Sequence, residues 1–146
     1  MIVWRLCRRL HADLTGEGAR RYGGRWNSAG LPVVYLAEHP ALAALEVRVH
    51  LDLPFDLLPA DFTLMRVIAP NQPNILYTMP QDTVAIGDAW LTEAASATLS
   101  VPSVLVPHAW NILLNPRHPD AGKIEILGTE PFQFDPRLWH PLAGES

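Results

Sequence analysis

The chain has 146 residues, of which 49% are hydrophobic and 18% charged. That composition excludes a disordered tail and fits one domain, able to bury roughly 70% of the surface its unfolded form exposes. The net charge of −4 argues against a protein that owes its affinity to neutralising nucleic-acid phosphates.

Charge is unevenly placed. Residues 1–25 hold six arginines (5, 8, 9, 20, 21 and 25) against Asp13 and Glu17, while the rest of the chain is acidic. A local arginine patch suits a small anionic ligand better than a long polyanion; a solvated basic loop is the plainer reading of most of these arginines. The single cysteine, Cys7, leaves no internal disulfide and suits a reducing compartment. No secretory segment is visible and no apolar run reaches the length of a membrane span, so a cytoplasmic protein is expected. The 14 prolines are spread along the chain and point to short elements separated by rigid turns.

Residues 2–7 alternate apolar and polar, which predicts a first strand with Trp4 and Arg5 on opposite sides. Residues 15–18 read as a loop that continues through Tyr22, Gly23 and Gly24 to a short strand at 25–27. The paired glycines permit close approach of backbone and ligand, but G-x-G-x-x-G spacing is absent and a tight turn is their default meaning. Residues 31–36 form an apolar run of strand length. Pro40 opens a helix, where its missing N–H costs nothing, and residues 41–51 are apolar nearly all round, so this helix is expected to be buried on most sides. Glu46 falls inside its apolar stripe, four residues after Leu42, whereas Arg48 stands about 200° away. A carboxylate there is either in a structural ion pair with a distant arginine or functional.

Residues 52–61 are a proline-broken connection, 62–69 a strand and 70–73 a turn. Alanines predict a helix over 87–99. Residues 101–107 form a short strand bracketed by prolines, hence an edge or a strand end, with Ser103 facing away from Val104. Residues 123–127 alternate as a strand, with 131–134 pairing alongside. Irregular mingling of strands and helices predicts an α+β or mixed-sheet domain.

The six histidines, at 11, 39, 50, 108, 118 and 140, show no close ligand spacing, so no metal site is expected. A nucleophilic Ser103 served by His108 lacks the G-x-S-x-G elbow. Arginine, tyrosine and a half-buried glutamate suit cleavage of an N-glycosidic bond such as that of NAD. Nicotinamide leaves as a neutral ring without prior protonation, and one fixed carboxylate stabilises the oxocarbenium-like ribose. An arginine fork grips pyrophosphate, and a tyrosine offers a flat face and a hydroxyl. Singly, each residue has a structural reading: Arg25 as an ion-pair partner, Tyr35 as a core aromatic, Ser103 as a backbone cap.

The joint pattern carries more. GARRYGGRWNSAGLPVVYLAEHPALAALEV, VPSVLVPHAWNILLNPRHPDAGKIEI, the WRL start and the FQFDPRL end together resemble the RES domain family over nearly the whole chain. The resemblance implies an ADP-ribosyltransferase-like fold, a split mixed β-sheet with flanking helices around an NAD cleft. It implies a toxin that consumes NAD as substrate, by hydrolysis or phosphorolysis, or that ADP-ribosylates a protein. The family arginine, tyrosine, glutamate and serine fall on Arg25, Tyr35, Glu46 and Ser103. Asn111 is expected to support the pocket, and Arg5 is a weaker candidate for the ligand side. The implied partner is an Xre-like helix-turn-helix antitoxin covering the active site, with room for a homodimer within that complex. A module that binds a nucleotide or a protein without catalysis is the alternative of a different kind.

Overall fold

Strand β1 (Ile2–Arg8) lies inside a six-stranded sheet with β2 (Val34–Ala37), β3 (Phe62–Ile68), β4 (Thr98–Pro102), β5 (Trp110–Leu114) and β6 (Glu125–Pro131). The structure is a computed structural model that describes residues 1–70 and 74–139. Most of the turn expected at 70–73, and His140, lie outside those residues.

The strand order is β4-β5-β2-β1-β3-β6, and every neighbouring pair is antiparallel. The mixed character expected of the sheet is limited to one isolated parallel bridge, Ile75 to Ser100. The sheet is nonetheless divided. β1 pairs with β3 along its full length, from Ile2↔Ile68 to Arg8↔Phe62, but meets β2 only at Trp4↔Ala37. β2 stops at Ala37 because Glu38 and His39 turn the chain into helix α2 (Pro40–Arg48). Two three-stranded halves therefore join at a single point.

Alternation sends side chains to two faces. One face carries Val3, Val34, Leu36, Met65, Val67, Ile112 and Leu114 as a continuous core. The other is covered at two separate places. Trp26, Val33, Leu99, Val101 and Leu113 pack with Trp90 and Leu91 of helix α3 (Thr83–Glu93). Leu6, Ala37, Phe62 and Phe134 pack with Leu42 and Ala43 of α2.

The helices depart from expectation for physical reasons. α2 rests on a single layer, so only Leu42 and Ala43 are fully buried while Leu45 and Val49 are exposed; it is not buried on most sides. α3 starts earlier than expected because Asp82 caps it, accepting from the Ala85 N–H at 3.0 Å. It stops at Glu93, with Ala94 in the left-handed region, because Thr98–Pro102 is drawn into pairing with β5. Tertiary pairing here overrides alanine propensity. Helix α1 (Glu17–Tyr22) occupies what reads as loop, steadied by Glu17 with Arg20 at 2.5 Å and Arg21 at 3.6 Å.

The C-terminal expectation also changes. Residues 125–131 are one strand on the outer edge of β3, so Pro131 extends that strand instead of opening a partner to it. Phe134 then folds against Phe62 and Trp139. Arg48 sits 4.1 Å over the Trp139 ring and donates to the Leu138 carbonyl at 2.9 Å, which ties this segment to the end of α2.

Candidate active site

Where the sheet halves part, a cleft of about 610 Å³ opens between the two helix-covered patches. This is the size of an ordinary small-molecule site. Its floor is crossed by Trp4, Ala37 and Asn111, which stand opposite one another on β1, β2 and β5. One wall is α1 with the loop through Gly24 and Arg25; the other is the C-terminal half of α2.

The arginine wall is held by a buried polar network. Asn27 is 2% exposed, and its amide donates to the carbonyls of Ala19, Ser28 and Leu31 at 2.9, 3.2 and 3.0 Å. Its Oδ1 accepts from the Tyr35 hydroxyl at 2.6 Å, which in turn accepts from the Trp26 N–H at 3.0 Å. Burial pushes the Tyr35 hydroxyl up to about 12, with the Trp26 N–H and Arg25 pulling the other way. The hydroxyl is thus a structural strut, and what remains for a ligand is the ring. Gly24 leaves room for this junction: a Cβ there would stand 2.7 Å from the Tyr35 hydroxyl oxygen.

Helix α3 braces the same loop from behind. Thr83 donates to the Arg25 carbonyl at 2.5 Å, and Asp88 accepts from the Ser28 N–H and hydroxyl at 2.8 and 2.5 Å. Between them Gly87 lies against Trp26, where a Cβ would meet the Trp26 carbonyl oxygen at 1.7 Å. No larger residue fits that approach. The Arg25 guanidinium itself makes no hydrogen bond or ion pair among the described residues and lines the cleft.

On the opposite wall, Glu46 is half-buried and lines the cleft, again without a hydrogen bond or ion pair among the described residues. The structural ion pair with a distant arginine is therefore not formed, and Arg48 is occupied at Trp139 and Leu138. A carboxylate with its lone pairs free and a guanidinium with its fork free can engage opposite ends of one ligand.

Of the residues expected at the site, Arg25, Tyr35, Glu46 and Asn111 meet at this cleft. Asn111 also donates to the Leu36 carbonyl at 3.3 Å, bridging β5 to β2. Arg5 lines the cleft too, but its Nη1 donates to the carbonyls of His11 and Asp13 at 2.5 and 3.0 Å. Ser103 does not join them. It lies just past β4, and its Oγ accepts from the N–H groups of Leu105 and Val106 at 3.1 and 3.2 Å. Its neighbours Pro102, Val104 and Leu105 line the cleft instead. The hydroxyl acts here as a turn clamp, because two backbone donors left open where the strand ends need an acceptor. The short strand expected at 25–27 is a tight turn closed by a Gly24–Asn27 bridge. The residues missed in the sequence are Asn27, Thr83, Gly87 and Asp88. Asn27 stands within the GGRWN segment, so only its buried role was hidden; nothing in sequence links α3 to the loop.

A six-stranded sheet parted at its centre, with an open cleft over the parting, defines an α+β protein of the ADP-ribosyltransferase-like fold. The solved MbcT–MbcA toxin–antitoxin complex of Mycobacterium tuberculosis shares it: the TM-score is 0.72 at 21% identity, over 94% of this chain and 85% of that one. The chain belongs to the RES domain family, which matches residues 2–135. It is 38% identical over 149 residues to Toxin Res of Pseudomonas putida, covering 95% of this chain and all of that protein. It is 38% identical over 141 residues to the Prs ADP-ribosylating toxin of a Sphingobium species, covering 86% of each. A 40-residue stretch, 26% of this chain, is 52% identical to the NAD(+) phosphorylase MbcT of M. tuberculosis, of which it covers 22%.

Proposed function

We propose that this chain is the toxin of a toxin–antitoxin pair and consumes NAD by breaking the nicotinamide–ribose bond. The observation that carries this is the meeting of Arg25, Tyr35 and Glu46 on one cleft, with the guanidinium and the carboxylate both unengaged. Arg25 grips the pyrophosphate, the Tyr35 ring packs against the nucleotide, and Glu46 faces the ribose as positive charge develops there. Ser103 serves indirectly, by holding the turn whose other residues line the cleft, and Asn111 holds the floor. Relatives named as an NAD(+) phosphorylase and an ADP-ribosylating toxin support NAD as the substrate. The 38% identity to the Prs toxin over most of both chains favours transfer of ADP-ribose to a protein as the second reading.

The partner in this reading is an Xre-like antitoxin that covers the cleft. The mouth suits such a lid, because Tyr22, Val49 and Val104 line it while remaining 82%, 51% and 48% exposed. Exposed apolar groups clustered at a site mark a binding surface. A homodimer within the complex, a single RES domain over the whole chain and action in the cytoplasm complete the reading. Among the described residues no helix is long and apolar enough to cross a membrane.

The deciding experiment incubates purified protein with NAD and measures nicotinamide. Release without phosphate gives ADP-ribose, release that depends on phosphate gives its 1-phosphate, and label on a protein marks the transferase. Saturable binding with no release would leave a non-catalytic module and overturn the proposal.

A further inference from the structure

The cleft-facing stripe of α2 does not end at Glu46. Ala43, Glu46, Val47 and His50 follow the i, i+3, i+4, i+7 spacing of one helix face, and all four line the cleft. Hydrogen bonds from the His50 N–H to the Val47 carbonyl and from the Leu51 N–H to the Arg48 carbonyl, both 3.1 Å, continue the turn beyond Arg48. His50 thus stands one turn past Glu46 on the same wall.

Six ionisable side chains line the cleft: Arg5 from β1, Tyr22 from α1, Arg25 from the following loop, Tyr35 from β2, and Glu46 and His50 from α2. Arg5 is committed to two carbonyls and the Tyr35 hydroxyl to Asn27 and Trp26. The side chains of Tyr22, Arg25, Glu46 and His50 make no hydrogen bond or ion pair among the described residues. Arginine does not give up its proton in proteins, and Glu46 must stay anionic while it faces a developing cation. Histidine is the remaining side chain whose ordinary titration lies near neutrality.

We propose that His50 is the acceptor-side catalytic residue: its neutral imidazole takes the proton of the O–H group that attacks the ribose. The proposal rests on the NAD reading above. The C1′–N bond breaks and its electron pair leaves on nicotinamide, and the acceptor oxygen forms the new bond to C1′. The proton of that oxygen, whether from water or hydrogen phosphate, passes to His50 and then to solvent.

The test is the pH dependence of nicotinamide release by the full chain, with and without phosphate, from about pH 5 to about pH 8.5. Wild-type kcat falls towards acid as the imidazole is protonated. His50→Gln loses roughly 100-fold in kcat near neutrality, keeps KM for NAD within about threefold, and loses the acid limb. Added imidazole restores rate to His50→Ala. An unchanged kcat and acid limb in His50→Gln overturns the proposal. So does a loss of rate that imidazole does not restore and that comes with a lowered Tm, since that marks a structural role. No nicotinamide release by unaltered protein would instead defeat the NAD reading beneath it.

Discussion

On one wall of the cleft the polar atoms around Arg25 are almost all engaged; on the other, the side chains of Glu46 and His50 have no hydrogen-bond or ion-pair partner among the described residues. The arginine wall spends Asn27, the Tyr35 hydroxyl, Thr83 and Asp88 on one loop. The α2 wall is built from apolar packing of Leu42 and Ala43 and leaves its ionisable groups open. In the proposed function the first wall serves position and the second chemistry. A guanidinium on a flexible loop would lose rotamer and backbone freedom on gripping a ligand, so fixing the loop beforehand lowers the cost of binding. In the proposed reaction Glu46 responds to charge developing on a ribose; any partner it already held would weaken that response, so leaving it free would preserve its field for the transition state.

Four substitutions put the contrast at risk, from the largest effect to the smallest. Glu46→Gln keeps the packing of α2 and is expected to cost about 10³-fold in nicotinamide release with Tm unchanged by thermal melting. Retained activity in this variant would remove the chemical wall altogether. Asn27→Ala is expected to act on the other wall through stability, costing about 3 kcal/mol in denaturant unfolding, because the Tyr35 hydroxyl and three backbone carbonyls lose their partner. Its residual activity should show a raised KM for NAD more than a lowered kcat.

Tyr35→Phe leaves the ring and removes the strut, for about 1–2 kcal/mol. It also tests the shift at that hydroxyl. The folded value is raised to about 12, above an unfolded value near 10, so folding holds the proton more tightly. The associated stability is present below pH 10 and is lost as pH climbs towards about 12. Unfolding midpoints should therefore drop over that window in the wild type more steeply than in Tyr35→Phe. Ser103→Ala gives the smallest effect, about 1 kcal/mol of stability from two backbone N–H groups losing their acceptor, with nicotinamide release within about threefold. A loss of rate as large as that of Glu46→Gln would place this serine on the ligand instead.

The expectations held where local pattern and global packing agree. β1 and β3 are near their expected bounds because each alternates against buried partners on both sides. α2 starts at Pro40 and carries Glu46 on its inward stripe as the spacing requires. They stop short where neighbours decide. β5 pairs across both β2 and β4, yet Trp110–Leu114 carries no alternation that separates it from a buried helix turn. Ser103 sits in a segment of strand-like composition whose strand ends at Pro102, and its hydroxyl accepts from the turn that follows.

What the sequence by itself determined was the identity and order of the groups in the proposed site: Arg25, then Tyr35, then Glu46, within GGRWN and the apolar segments that follow. Their types bound the chemistry, because a fork, a flat ring and a lone carboxylate suit a dinucleotide and an oxocarbenium. Only the tertiary structure decided which of their atoms are free. It committed the Tyr35 hydroxyl, one Arg5 guanidinium nitrogen and the Ser103 oxygen to backbone and neighbours, and it left the side chains of Arg25, Glu46 and His50 open. The reason is that a hydrogen bond is assigned by distance in space. Asp88 lies 60 residues from Ser28, and no periodicity in the chain records that the two will meet.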